Sequence, residues 1–355
     1  MGEMTTRERM RLTYEHREAD RAPFFDFPWE STVERWHREG LPGGVRWEDH
    51  FGLDRVFTIS VDNSPRYPVE ILERTDEYTL KRTEWGVTLK QWNHHGGTPE
   101  FLDYTVTDRD SWNEARRRMT PSRDRIDWKL LEREYRACRE RGDWFEALAW
   151  FGFDVTHSWM LGTERLLVAL LEDPDWCREM FGHYLDTSLA LLEMVWDAGY
   201  EFDILTWYDD LGFKQGQFIS VAMYRELLKP YHQRAVEWAH RRGIRTRLHS
   251  CGDIRPFLPE FRDIGIDCLN PLEVKAGVDP LALKRDWGGE LVLHGGLNAV
   301  LWDRPEEIVA EIERVVPVLK AGGGYIFASD HSIPDSVDFD TFSRIVETYK
   351  RVAVY

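Results

Sequence analysis

His249 and Cys251 lie two residues apart in the run His249-Ser250-Cys251-Gly252, directly after the strand-like stretch Ile244 to Leu248. Residues at i and i+2 of an extended chain point the same way. An imidazole and a thiol so placed can grip one ion, and both are good zinc ligands. A catalytic zinc keeps three protein ligands and one open position. The best candidate for the third ligand is His331, in the pair Asp330-His331. The competing reading is a strand-end histidine bonded to a carboxylate beside an inert, buried cysteine. Cys138, Cys177 and Cys268 have that bland reading, as small buried hydrophobes in helical or core contexts.

Further candidates follow other short apolar runs. Asp26 and Glu30 follow the first, Asp154 and His157 the third, and Tyr208, Asp209 and Asp210 the fourth. Glu273 follows the sixth, His294 and Asn298 flank the seventh, and Asp330 and His331 follow the eighth. A carboxylate pair such as Asp209-Asp210 suits general acid–base work or a substrate anchor, because burial and mutual repulsion raise one pKa. The alternative is a helix N-cap. His157 can equally be a packed residue near Trp159. His94-His95 falls in a loop and carries little weight. Some of the 16 Trp can line an apolar pocket for a flat substrate, although most serve the core.

The elements that must position these groups are legible as a βα series. Eight runs are strand candidates: Phe24–Phe27, Val56–Val61, Phe145–Phe151, Phe202–Trp207, Ile244–Leu248, Ile266–Leu269, Leu291–Leu293 and Tyr325–Ala328. Eight is the count of a closed (β/α)8 TIM-type barrel, whose working residues stand at the C-terminal ends of the strands. Between the runs lie amphipathic stretches. Ser220–Arg241 has Ser220 as N-cap and a break at Pro230. Arg304–Leu319 carries Pro305 in its first turn with Glu306 and Glu307 behind it. Gly243, Gly265 and Gly322 stand where helix C-caps belong. The alternating stretch Glu77–Trp92, with Gly86 near its middle, predicts an inserted β-hairpin over the barrel mouth. With no repeat and no linker, residues 1–355 read as one α/β domain.

Composition excludes several classes. The 355 residues carry 46 Lys+Arg against 63 Asp+Glu, a formal charge of -17. A nucleic-acid binder needs a basic face, and the longest basic cluster, Arg116 to Arg118, reads as a solvated helix face. No stretch approaches the ~18 apolar residues of a membrane span. The N-terminus has no apolar signal region, and four scattered cysteines suit a reducing cytoplasm. Met1-Gly2 with Thr6 loosely fits a myristoylation pattern, against which Glu3 counts.

An ordered set of motifs resembles the uroporphyrinogen decarboxylase superfamily. They are Tyr208-Asp209-Asp210-Leu211-Gly212, Ile219-Ser220, Lys229-Pro230-Tyr231, His249-Ser250-Cys251-Gly252, Asn270-Pro271-Leu272-Glu273, Gly295-Gly296 and Gly322-Gly323-Gly324-Tyr325. The resemblance is clear over 145–350 and fainter before it, through Asp20-Arg21-Ala22-Pro23 and Phe51-Gly52-Leu53-Asp54. It implies a single distorted (β/α)8 barrel. True uroporphyrinogen decarboxylases meet their polyanionic substrate with an N-terminal arginine motif. Here that stretch reads Pro23 to Glu30, with no arginine and two acids, Asp26 and Glu30. The chain looks more like the corrinoid-linked methyltransferases of the superfamily, whose H-x-C-G motif supplies two zinc ligands, here His249 and Cys251. Their third ligand is a cysteine in a loop after the last strand, and His331 stands at that position.

The resemblance thus implies a cytoplasmic zinc methyltransferase acting on a small molecule, with His249, Cys251 and His331 on the metal. Asp210 and Glu273 orient substrate or move protons, and Tyr208 and His157 line the cleft. The cobamide is carried by a separate corrinoid protein. The alternatives are a cofactor-independent decarboxylase, with Asp210 or Asp26 holding a protonated intermediate, and a non-catalytic binding barrel.

Overall fold

A computed structural model describes residues 3–94 and 96–355. The Met1-Gly2 pattern and His95 lie outside the described residues. Thirteen strands follow in chain order. Seven of them, β1 Val56–Ser60, β6 Trp144–Ala149, β7 Ile204–Tyr208, β10 Arg245–His249, β11 Cys268–Asn270, β12 Val292–His294 and β13 Tyr325–Ile326, form one parallel sheet in the order β1-β6-β7-β10-β11-β12-β13. Consecutive strands are spatial neighbours and are joined through helices, which gives a curled TIM-like sheet with an outer helical layer. The first expected strand, Phe24–Phe27, is reduced to one parallel bridge between Phe24 and Phe327. Phe25 N–H donates to the Phe327 carbonyl at 3.1 Å and Phe327 N–H to that of Pro23 at 2.7 Å. Pro23 and Pro28 supply no N–H on either side of this run.

The alternation of strand residues separates two apolar clusters. Ile59, Phe145, Ala147, Leu205, Trp207, Leu248, Leu269 and Leu293 belong to the large core between sheet and helices. The alternate residues Val56, Trp144, Ile204, Cys268 and Val292 pack with Tyr14 and Phe25 in a smaller cluster inside the curl. Two residues further along each strand the interior turns polar. Glu146 and Arg247 pair there at 2.6 Å, and Thr58 and Thr206 donate to Glu146. His249, Tyr208 and Asn270 are the next inward positions, at the C-terminal rim.

The helices form where the sequence places them. Pro305–Lys320 buries Ile308, Ile312, Val315, Val316 and Leu319 along one stripe, the pattern of a helix laid on a sheet. In the Ser220 segment, Ser220 Oγ accepts from Met223 N–H as an N-cap. The break expected at Pro230 is a wide turn over Tyr224–Leu228, after which Lys229–His240 resumes as α-helix. Gly265 caps Leu258–Ile264 in the left-handed region, φ 82°, where glycine meets no Cβ penalty.

The expected hairpin is part of a larger insertion. Tyr78–Arg82 (β3) and Val87–Trp92 (β4) pair antiparallel. Glu70–Arg74 (β2) and Glu100–Tyr104 (β5) flank them to make a four-stranded sheet, β2-β3-β4-β5. β4 buries Val87, Thr88 and Leu89, whereas every residue of β2 is exposed. A small hairpin, β8 Gly212–Phe213 with β9 Gly216–Gln217, follows β7. No helix among the described residues is long and apolar enough to cross a membrane.

Candidate functional site

Backbone packing between two strand-end loops creates the site. Gly252 lies so close to Gly212 that a Cβ on it would meet the Gly212 carbonyl carbon at 2.1 Å. Only glycine permits that crossing, and it lays the β10 loop against the β7 loop. Cys251 N–H then donates to Asp210 Oδ1 at 2.8 Å. Glu273, buried after β11, accepts from Gly252 N–H at 2.5 Å and lies 3.4 Å from Lys275 Nζ. Glu273, expected from the sequence to orient substrate or move protons, clamps the cysteine loop here.

The result is a three-donor cluster. Cys251 Sγ is 3.3 Å from His249 Nε2, and His249 Nε2 is 3.8 Å from Asp210 Oδ1. Asp210, His249 and Cys251 are the group of possible metal donors found among the described residues, with atoms within 4.8 Å of one another. A chain of hydrogen bonds sets the histidine tautomer. Asn270 Nδ2 donates to the His294 carbonyl at 3.3 Å, which turns Asn270 Oδ1 toward His249 Nδ1 at 2.7 Å. That oxygen only accepts, so Nδ1 carries the proton and the Nε2 lone pair faces the thiol. Behind it, His294 Nε2 donates to the Phe25 carbonyl at 2.7 Å.

Electrostatics match the geometry. Burial, with Arg247 nearby, pulls His249 down to about 4, so its imidazole is neutral at physiological pH. Burial, reinforced by Asp210 and Glu273, lifts the Cys251 thiol well above its ordinary range. Burial and then Asp154 push Asp210 up to about 8. Such a cluster holds its protons only until a cation replaces them. The donors fit zinc. Bonds of about 2.0–2.3 Å at tetrahedral angles set donors roughly 3.5 Å apart, close to the separations here. His331 stands outside this group. It is half-buried, with its ring centre 6.5 Å from that of Trp29. Asp210 stands with His249 and Cys251 because the Gly212–Gly252 crossing brings it to the cysteine.

The cluster opens through Asp210 into a cavity of about 610 Å³. Tyr208 and His157 both line it. Tyr208 stacks on Trp150 with ring centres 5.6 Å apart and lies 4.4 Å from the His249 ring. Burial pushes its phenol up to about 12. His157 sits between Thr163 Oγ1 at 3.1 Å and Asp154 Oδ1 at 3.2 Å. Trp29, Trp159, Phe101 and Phe218 complete an aromatic wall. The inserted sheet supplies Phe101, whose ring meets Trp159 edge-on at 5.4 Å.

Other sequence candidates are placed elsewhere. Asp209 is buried, 2.7 Å from His232 Nε2, and accepts from Asp154 N–H at 2.7 Å. His232 Nδ1 lies 3.1 Å from the Tyr224 hydroxyl. Asp26 accepts from Ser329 N–H, Ser329 Oγ and Phe27 N–H. Asp330 accepts from Val274 and Ala299 N–H and ties three loops together. Glu30 is exposed at the start of the Glu30–Glu39 helix. His294 is buried in the tautomer chain, and Asn298 caps the turn at Val300. Sequence reasoning missed the roles of Asn270, Trp29, Trp150 and Phe218. Only Asn270 had a signal, its pairing with the expected metal strand.

Over its whole length the fold is similar to a methyltransferase from Methanosarcina mazei, with TM-score 0.68, 16% identity, and 98% and 99% of the two chains covered. In sequence, 184 residues are 27% identical to a uroporphyrinogen decarboxylase of Salinispora tropica. That match takes in 49% of this chain and 44% of the relative, less than half of its length. The model of the uroporphyrinogen decarboxylase (URO-D) family matches residues 155–352, more than half of the chain and the part that carries His157, Asp210, His249, Cys251 and Glu273, and the chain belongs to that family.

Proposed function

We propose that this chain is a zinc-dependent methyltransferase that moves a methyl group between a separate corrinoid protein and a small acceptor or donor. The carrying observation is the pair His249 Nε2 and Cys251 Sγ, 3.3 Å apart, with the imidazole tautomer fixed so that its free lone pair faces the sulfur. His249 and Cys251 hold the metal, with a third donor from Asp210, already in the cluster, or from His331. When bound, zinc supplies Lewis acidity that lowers the pKa of a thiol or hydroxyl beside it. The chain does the rest. Asn270 keeps the imidazole oriented, Glu273 and Gly252 hold the cysteine loop, and Tyr208 and His157 shape the cavity wall. Asp210 lines the cavity, where it can orient substrate or move a proton. The fold reading that accompanies this is a closed eight-stranded barrel with Phe24–Phe27 as the remaining stave. Free cysteines throughout suit a reducing cytoplasm. The fold likeness to a methyltransferase supports the same reading.

One observation favours decarboxylation as the second reading. Asp210 keeps its proton up to about 8 beside the cavity, as a carboxyl that protonates an intermediate must. Against a polycarboxylate substrate, no Lys or Arg is among the described residues lining the cavity.

Metal analysis of protein purified without chelator, alongside Cys251→Ala, tests the proposal. About one zinc per chain that is lost in the variant upholds it. Under about a tenth of an equivalent in the parent sinks the metal chemistry. Methyl transfer from methylcobalamin to a panel of thiols, set against carbon dioxide release from carboxylic acids, separates the two readings.

A further inference from the structure

The cavity beside the metal donors has a composition that selects its occupant. Its wall carries the indoles of Trp29, Trp150 and Trp159 and the rings of Phe101 and Phe218. Its charged lining is Asp154 and Asp210, with no Lys or Arg among the described residues. Asp210 lies within the donor cluster with His249 and Cys251, and Asp154 stands apart from it. Its Oδ1 meets His157 and Ser158, and its Oδ2 has no hydrogen-bond partner among the described residues. Ser158 and Thr163 are engaged with Asp154 and His157. A primary ammonium needs three acceptors, and this wall has few to spare. A cation sheathed in methyl groups needs ring faces and a counter-charge instead. A flat neutral ring would satisfy the aromatic wall but leave Asp154 Oδ2 without a partner.

We propose that this cavity is a binding site for a methylated ammonium cation, seated against the indoles of Trp150 and Trp159 with Asp154 as its counter-charge. The inference deepens the methyltransferase reading and rests on it for the use made of the methyl group. The seat itself needs no metal. Trp150 and Trp159 also line a second cavity of about 840 Å³, next to Asn63, Trp85 and Asp127. The remainder of a larger cation has room to extend past the two indoles into that space. Asn63 Oδ1 is buried there without a hydrogen-bond partner, an acceptor for a donor group on that tail.

Calorimetry on the full chain tests this with choline and its uncharged isostere, in which a tert-butyl group replaces trimethylammonium. Shape is matched, so the difference reads charge alone. Choline is expected to bind at least about tenfold tighter. Trp159→Leu and Asp154→Asn are each expected to weaken choline about tenfold and leave the isostere within about twofold. If Trp159→Leu fails to fold by circular dichroism, Asp154→Asn carries the test. Equal binding of the two compounds, or binding of neither, overturns the seat. The same titration on Cys251→Ala separates the two proposals. Selectivity for choline retained in Cys251→Ala upholds the seat, whereas zinc under about a tenth of an equivalent in the parent sinks the metal reading alone. Zinc at one equivalent without selectivity overturns the seat and leaves the metal reading standing.

Discussion

Asp209 and Asp210 are adjacent in sequence and belong to different regions of the molecule. Asp209 turns outward, away from the barrel mouth, into a buried pocket. Both of its oxygens are used, on His232 Nε2 and on Asp154 N–H. The fit is so tight that a Cβ on Gly152 would lie 2.3 Å from Asp209 Oδ2. Asp210 turns into the cavity and keeps 31% of its side chain exposed. One oxygen takes Cys251 N–H, and the other has no hydrogen-bond partner among the described residues. Saturation of acceptors together with burial, rather than residue type, separates the carboxylate that holds the fold from the one available to chemistry.

The largest test of that contrast is on stability. Asp209→Ala leaves His232 Nε2 and the Asp154 N–H without partners in a buried pocket. Breaking a buried pair from one side costs about 3–5 kcal/mol. Asp210→Asn keeps an acceptor for Cys251 N–H and should cost under about 1 kcal/mol. Urea unfolding of the two variants reads the difference directly, and equal losses would break the comparison. Next comes the cluster that Asp210 joins. Cys251→Ala should unfold at nearly the same urea concentration as the parent, yet retain less than about a tenth of its zinc. A large stability loss would instead make Cys251 a packing residue.

How far the sequence reached follows the same line. While the chain is in the sheet, alternation fixes direction, so the inward facing of His249, Tyr208 and their neighbours was legible from short runs. The strand ends were therefore recoverable within a residue or two, and the convergence of polar groups with them. Beyond the last ladder bond the alternation stops. Whether Asp209 or Asp210 faces the mouth is decided by the crossing of Gly212 on Gly252. That contact joins residues forty apart, and no local pattern encodes it. The presence of Asp210 beside His249 and Cys251 has this cause. Phe24–Phe27 was read as a full strand because its composition is apolar, but the flanking prolines leave too few donors for a ladder. The aromatic wall was illegible for another reason. Its tryptophans come from the first loop, the residue after β6 and the turn at Val155–Met160, so no spacing relates them.

A smaller effect sharpens the contrast from behind the cluster. Asn270 touches no cavity atom but holds the Nδ1 proton of His249. Asn270→Ala frees the ring to rotate and to change tautomer. Loss of such a supporting bond weakens metal binding by about 10–100-fold, a range that competition with a chromogenic chelator resolves. Folding should change little by comparison, because the amide makes one long bond to the His294 carbonyl besides the one to His249. Unchanged zinc affinity would mean that packing alone orients the imidazole.

Per pH unit, Asp26 supplies the smallest effect and extends the contrast to pH. It is saturated like Asp209, accepting from three donors near β13. Burial nonetheless raises its pKa from 3.8 to about 7, against the pull of those hydrogen bonds. The folded protein then holds a proton that the unfolded chain has released, over the window from about pH 4 to 7. Where the folded state binds more protons, stability falls as pH rises. This contribution is fully favourable below pH 4, is lost progressively up to 7, and is flat above. The slope is at most about 1.4 kcal/mol per pH unit. Unfolding free energies measured at pH 5, 6 and 7 should decline in the parent and decline less in Asp26→Asn. Zinc content, measured at pH 7, should be the same in both proteins, since a saturated carboxylate remote from the donors acts on the fold and not on the metal.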